Sequence, residues 1–414
     1  MIGTIRTLST AGEHVSARTL RDDTLTEVIG LGDAELTTRV IVAYDTHGLW
    51  PPHPYGDTPE KIVEQIDQTL HRLPPHHREL RCRLLASLVI ELEQSDDPRA
   101  DPASLEAVTI ARRLDDPALL ATALNARFRQ SYWTSALAER ERIATELLSL
   151  GRNHRLIAVE ATGRQALIRC ACGRGRFTAA DEHATEIERL ATTYDLPAAA
   201  AAAAWYRGLH HVVGGRFADA EHAYQRAAEL TSQAGMADFE QGVFPIETLS
   251  IALWTDKLAD LVPACQDAYN RWPTPGTEAL ALTLAAAGRF DEAQVVASRR
   301  PPIPRDIRFT VVMALRGLVG LALNDHDRIT EAYQALRPLD DEIAGGDTGG
   351  YAVLLPIAQL LGDLAVRRGE PQTANTHYLK ARVVAERANV PQWTAAARDA
   401  LARTITRSKP HRAW

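Results

Sequence analysis

Residues able to do chemistry are few and scattered in this 414-residue chain. Cys170 and Cys172 form the closest thiol pair. Two positions apart on a helix, their side chains point about 200° from each other, so they cannot share a metal ion and read as core cysteines. His76-His77 follow Pro74-Pro75 at the start of a predicted helix and read as solvent-exposed. The sequence holds no His-Glu-x-x-His or Cys/His set of zinc spacing, no Gly-x-Ser-x-Gly nucleophile turn and no Gly-x4-Gly-Lys-Ser/Thr phosphate loop. No cofactor or metal is expected, and binding is indicated more clearly than catalysis. A catalytic pair drawn from distant helices would leave no local motif.

The densest candidate surface is Trp205-Tyr206-Arg207-Gly208-Leu209-His210-His211. Trp205 and Leu209 are four apart and share a helix face, as do Tyr206 and His210 on the adjacent one. Phe244 and Trp254 follow on the next predicted first helix, with Arg207 and Glu247 as polar anchors. Aromatic and arginine side chains supply much of the energy of typical interfaces. The expected ligand or partner site is therefore Trp205, Tyr206, Arg207, His210, Phe244, Glu247 and Trp254. The competing reading is that these rings fill space left by the seven alanines Ala198–Ala204.

The elements that must position these groups are helices in series. Apolar residues recur at intervals of three and four, punctuated by Gly, Pro, Asn and Asp. Gly175-Arg176-Phe177, Gly215-Arg216-Phe217 and Gly288-Arg289-Phe290 each end one helix and begin another. Alanine stands five positions after each glycine, at Ala180, Ala220 and Ala293. Gly369 keeps that offset with Ala374, and Asn324 and Asp256 head degenerate copies. Tyr224, Tyr333 and Tyr378 lie nine positions after their turn residues. Glycine, or Asn and Asp at greater cost, takes the left-handed conformation that ends a helix. Phe is expected to pack back into the hairpin, and the alanine to let its helices approach.

The turn residues recur at a mean interval near 39, which fits two helices and two turns. The expected fold is all-α: a right-handed superhelical solenoid of tandem helical hairpins, tetratricopeptide-like, over residues 34–407. In such arrays the first helices line the concave face. Before residue 175, helices are expected near 34–44, 59–73, 77–94, 102–114, 117–132, 136–150 and 154–173. Residues 1–33 are ambiguous, 49–56 must be a loop or link because of its prolines, and 408–414 form a basic tail that reads as solvated.

Composition narrows the class. Hydrophobic content of 45% fits a folded chain, and a net charge of −7 without basic clusters argues against a nucleic-acid footprint. Only four of the 46 basic residues are lysines, a bias suggesting a GC-rich bacterial genome. Four cysteines without paired spacing, no apolar leader and no long apolar run lead to a cytoplasmic expectation.

Leu114–Arg127, Trp133, Gly215–Leu230, Pro304-Arg305-Asp306 opening a helix and the Gly-rich approach Gly345–Gly350 carry a family likeness. Over roughly residues 34–405 the chain resembles the C-terminal helical arm of large ATP-dependent LuxR-type bacterial transcriptional regulators. Those regulators add a P-loop module and a helix-turn-helix, neither of which is found here. The resemblance implies the sensing and partner-docking part of such a protein.

The expected function is a stand-alone regulatory binding module. It would take a protein or peptide partner, or a small apolar metabolite, in a concave groove, without direct contact to nucleic acid or membrane. A homodimer is compatible with this. Alternatives are a trans-acting subunit of a DNA-binding transcriptional regulator and an atypical enzyme of secondary metabolism using the groove as its active site.

Overall fold

A computed structural model describes residues 1–10, 14–44, 59–93, 95, 97–134, 137–233, 247–303, 305–348 and 350–408. Helix accounts for 80% of the described residues, and their only β-type pairing is an isolated antiparallel bridge between Ile343 and Pro356. The expected all-α fold of tandem helical hairpins is what the chain adopts.

Two helices, α1 (Ile2–Thr10) and α2 (His14–Ile29), occupy the ambiguous N-terminal segment. They precede α3 (Ala34–Ile41), α4 (Glu60–Arg72), α5 (Arg78–Glu91), α6 (Ala100–Leu114), α7 (Pro117–Thr134), α8 (Leu137–Asn153) and α9 (Ile157–Gly173). There follow α10 (Phe177–Tyr194), α11 (Pro197–Val213), α12 (Phe217–Gln233), α13 (247–255), α14 (Val262–Arg271) and α15 (Pro273–Ala286). The last six are α16 (Phe290–Ala297), α17 (Phe309–Leu323), α18 (His326–Leu336), α19 (Ile357–Arg367), α20 (Pro371–Ala388) and α21 (Pro391–Ser408). Consecutive helices pack as hairpins, and odd-numbered helices also touch the next odd one from α5 to α11 and from α15 to α19.

The turns follow the left-handed logic of the sequence. Gly175, Gly215, Asp256, Gly288, Asn324 and Gly369 all have φ between 54° and 78°. Turns between hairpins use Asp115, Arg155, Asp195 and Asn389 in the same conformation. Proline opens the next helix two residues later at Pro117, Pro197 and Pro391, where its missing N–H costs nothing. Ala180, Ala220, Ala293 and Ala374 are fully buried between their helices.

Two local expectations are corrected. Phe177 is buried, but Phe217 is only half-buried and Phe290 is 55% exposed. The difference lies in what covers the turn: Trp393 of α21 lies against Phe177 and Trp254 against Phe217. Among the described residues no ring packs against Phe290. Secondly, α17 opens at Phe309, where Asp306 accepts from the Arg308 N–H through its side chain (2.8 Å) and from the Phe309 N–H through its carbonyl (3.0 Å). Pro304 lies outside the described residues, as do the 49–56 link and residues 409–414 of the tail.

Candidate functional site

The Gly-rich stretch does more than approach the last hairpins. Residues 342–348 and 350–356, between α18 and α19, run as a strap across the face built by the odd-numbered helices. The Ile343 N–H donates to Gly173 O (2.7 Å), and the Gly345 N–H to Thr310 Oγ1 of α17 (3.2 Å). Tyr132 of α7 donates to Asp347 O (3.1 Å), and Tyr224 of α12 to Tyr351 O (2.9 Å). The Val353 N–H donates to Ser250 Oγ of α13 (3.2 Å). Helices spread over nearly 200 residues of sequence reach one short segment, so the array must curve around it.

Glycine makes the approach close enough. A Cβ on Gly346 would stand 2.5 Å from Cys172 O, and Gly345 and Gly350 have φ of 85° and 89°. The Gly350 backbone lies against the α11 backbone at Tyr206.

Polar side chains lock the strap. Arg140 of α8 meets Asp347 at 2.9 Å and Glu342 at 3.8 Å, and its guanidinium lies 4.3 Å from the Tyr132 ring centroid. Asp347 also accepts from Thr310 Oγ1 (2.8 Å). Arg169, fully buried on α9, interacts with Tyr132 and Tyr351. Burial, with the Asp347 charge second, raises the Glu342 carboxyl to about 7. Burial likewise pushes the Cys170 thiol up to about 12 and the Tyr351 hydroxyl to about 12. At neutral pH this thiol and this phenol therefore keep their protons. Among the described residues no three His, Cys, Asp or Glu side chains converge as a metal ion would require.

The expected site residues fare unequally. Trp205 and Tyr206, two of the expected contacts, are fully buried. Trp205 donates to Thr231 Oγ1 (3.0 Å) and meets Tyr351 edge-on at 5.6 Å; Tyr206 donates to Phe177 O (2.9 Å). Ala201, Ala202 and Ala203 share one buried cluster with these rings and with Tyr351 of the strap. Arg207 is tied to Glu188 of α10 (2.7 Å), and Glu247 is buried beside Tyr224 and Tyr351. His210 remains 36% exposed and Trp254 partly so, the latter against Phe217 and Trp393. Phe244 lies outside the described residues.

No family model and no curated protein matches this chain. A solved structure, "Crystal Structure of Rap Protein Complexed with Competence and Sporulation Factor", aligns over 98% of this chain and 95% of its own, at 13% identity and a TM-score of 0.42. No described helix is long and apolar enough to cross a membrane.

No local spacing in the sequence marks Arg140, Asp347 or Tyr351 as site residues. The available signal was the density of glycine over 345–350, a composition that permits close approach between backbones.

Proposed function

We propose that this protein is a helical-repeat docking module that takes an extended polypeptide segment on its inner face. One observation carries the reading: residues 343–356 of the same chain are held there largely through their backbone, by donors and acceptors from α7, α9, α12, α13 and α17. A surface that recognises main-chain groups can take a partner segment of suitable glycine and tyrosine spacing. His210 and Trp254, at the edge of this face, are the candidate first contacts. The likeness to the helical arm of ATP-dependent LuxR-type regulators favours a regulatory role for such docking, in a bacterial cytoplasm, with a protein partner.

The test supplies the strap in trans. A fluorescent peptide of residues 343–356 should bind saturably to full-length protein carrying Asp347→Ala and Tyr351→Ala, whose own strap is loosened. It should bind wild-type protein much more weakly. Absence of binding to a folded double variant, shown by circular dichroism, would overturn the docking reading.

A further inference from the structure

A second feature lies at the N-terminal end of the array, away from the strap. Between α3 and the first half of α5 opens a cavity of about 830 Å³, within the size range of sites for small ligands. Its apolar lining includes Val42, Ala43, Leu80 and Leu114, and its polar lining is dominated by cations. Arginines at 6, 39, 78 and 83 face two glutamates, with His76 and His77 beside them. This excess of positive charge stands in a chain whose net charge is −7.

One of the two acidic groups is already paired with a cation. Glu79 binds Arg83 (3.1 Å), and Glu35 lies 3.9 Å from His77. The exposed guanidiniums of Arg39 and Arg78 have no such partner among the described residues. The His76 and His77 rings lie with centroids 4.2 Å apart, tilted by 39°. Helix α5 begins at this wall with His77 at its cap position and no side-chain cap, while Glu79 and Leu80 of its first turn line the cavity. Uncapped N–H groups and the positive end of a helix add to the same field.

We propose that this cavity binds a small phosphate monoester with an apolar body. Two unpaired guanidinium forks suit a dianion, which one cation would leave half neutralised. Val42, Ala43, Leu80 and Leu114 offer the apolar body a surface. A carboxylate carries one charge and uses this set less fully. The proposal is independent of docking on the inner face, because no residue of the strap lines the cavity.

Phenyl phosphate, titrated calorimetrically into the full chain, is the probe; inorganic phosphate and a phosphotyrosine peptide are the comparisons. Phenyl phosphate should bind saturably and more tightly than inorganic phosphate. Arg39→Gln and Arg78→Gln should each weaken it by about tenfold, while Arg398→Gln on α21 leaves it unchanged. Both cavity arginines are exposed, so each variant should keep the wild-type melting temperature. The site is refuted if phenyl phosphate binds no more tightly than roughly 1 mM, or binds equally well to both cavity variants. Tighter binding of the phosphopeptide would overturn the small-ligand assignment.

Discussion

Arg140 and Asp347 meet at 2.9 Å with both side chains about 95% buried, although 207 residues separate them in sequence. The pair ties the strap to α8 and sits where Tyr132 and Thr310 also converge on Asp347. Removing one partner of a buried pair leaves the other charge unpaired, which commonly costs about 3–5 kcal/mol. Asp347→Ala and Arg140→Ala should each destabilise by about that amount in urea unfolding. The double variant should cost clearly less than the sum. Additive losses would mean that the two side chains are not coupled.

A pH dependence follows from Glu342. Its carboxyl is raised to about 7 in the folded chain, chiefly by burial, against an ordinary value of 4.5. Between those values the folded form keeps the proton that the unfolded chain has released. Stability from this group is therefore fully present below pH 4.5 and lost as pH rises towards 7. Glu342→Gln should remove that slope, gaining on the order of 1–3 kcal/mol relative to wild type between pH 4 and pH 8. Unfolding midpoints measured across this range decide it; parallel curves for the two proteins would count against the assignment.

Tyr224 occupies the space a Cβ on Gly208 would need, and Tyr378 does the same at Gly362. These pairs stand seven positions before and nine after the turn glycine. Where the earlier position carries a side chain, the later one is small: Ile168 with Ala184, Leu249 with Cys265, Ala281 with Ala297. Gly208→Ala should therefore destabilise by about 1–3 kcal/mol through overpacking. Tyr224→Ala in the same chain should absorb part of that cost, so the double variant falls short of additivity in thermal or urea melts.

The three turn phenylalanines should rank by cover. Phe177→Ala, at a buried ring, should cost about 3–5 kcal/mol. Phe217→Ala, half-buried against Trp254, should cost less, and Phe290→Ala should lie within about 0.5 kcal/mol of wild type. Because nearest-neighbour contacts stabilise such arrays, the losses can appear as broadened melting. A flat ranking would separate exposure from stability here.

All four cysteines are buried, and burial raises their thiols. A thiol-disulfide reagent at pH 8 should leave Cys82, Cys170, Cys172 and Cys265 unmodified in the native state and label all four in denaturant. Fast native labelling of any of them would show that its helix opens readily.

Much of the architecture was legible in the sequence because the signals are local. A glycine, asparagine or aspartate that must turn left-handed at residue 175, 215, 256, 288, 324 or 369 announces a helix end whatever surrounds it. The periodicity that brackets α5 to α9 is equally local, because a helix hydrogen-bonds to itself. Burial of Ala180, Ala220, Ala293 and Ala374 followed from the same spacing.

What only the tertiary structure decided was which faces stay open. Trp205 and Tyr206 carry the chemistry of a binding surface, yet whether they meet water depends on a segment 145 residues further along that closes over α11. No helical spacing encodes that contact, since the strap takes Tyr132, Tyr224, Ser250 and Thr310 as partners from helices distant in sequence. The fate of Phe177 likewise depends on where α21 comes to rest. Local backbone chemistry set the hairpins; long-range packing, which no periodicity records, set their accessible surface.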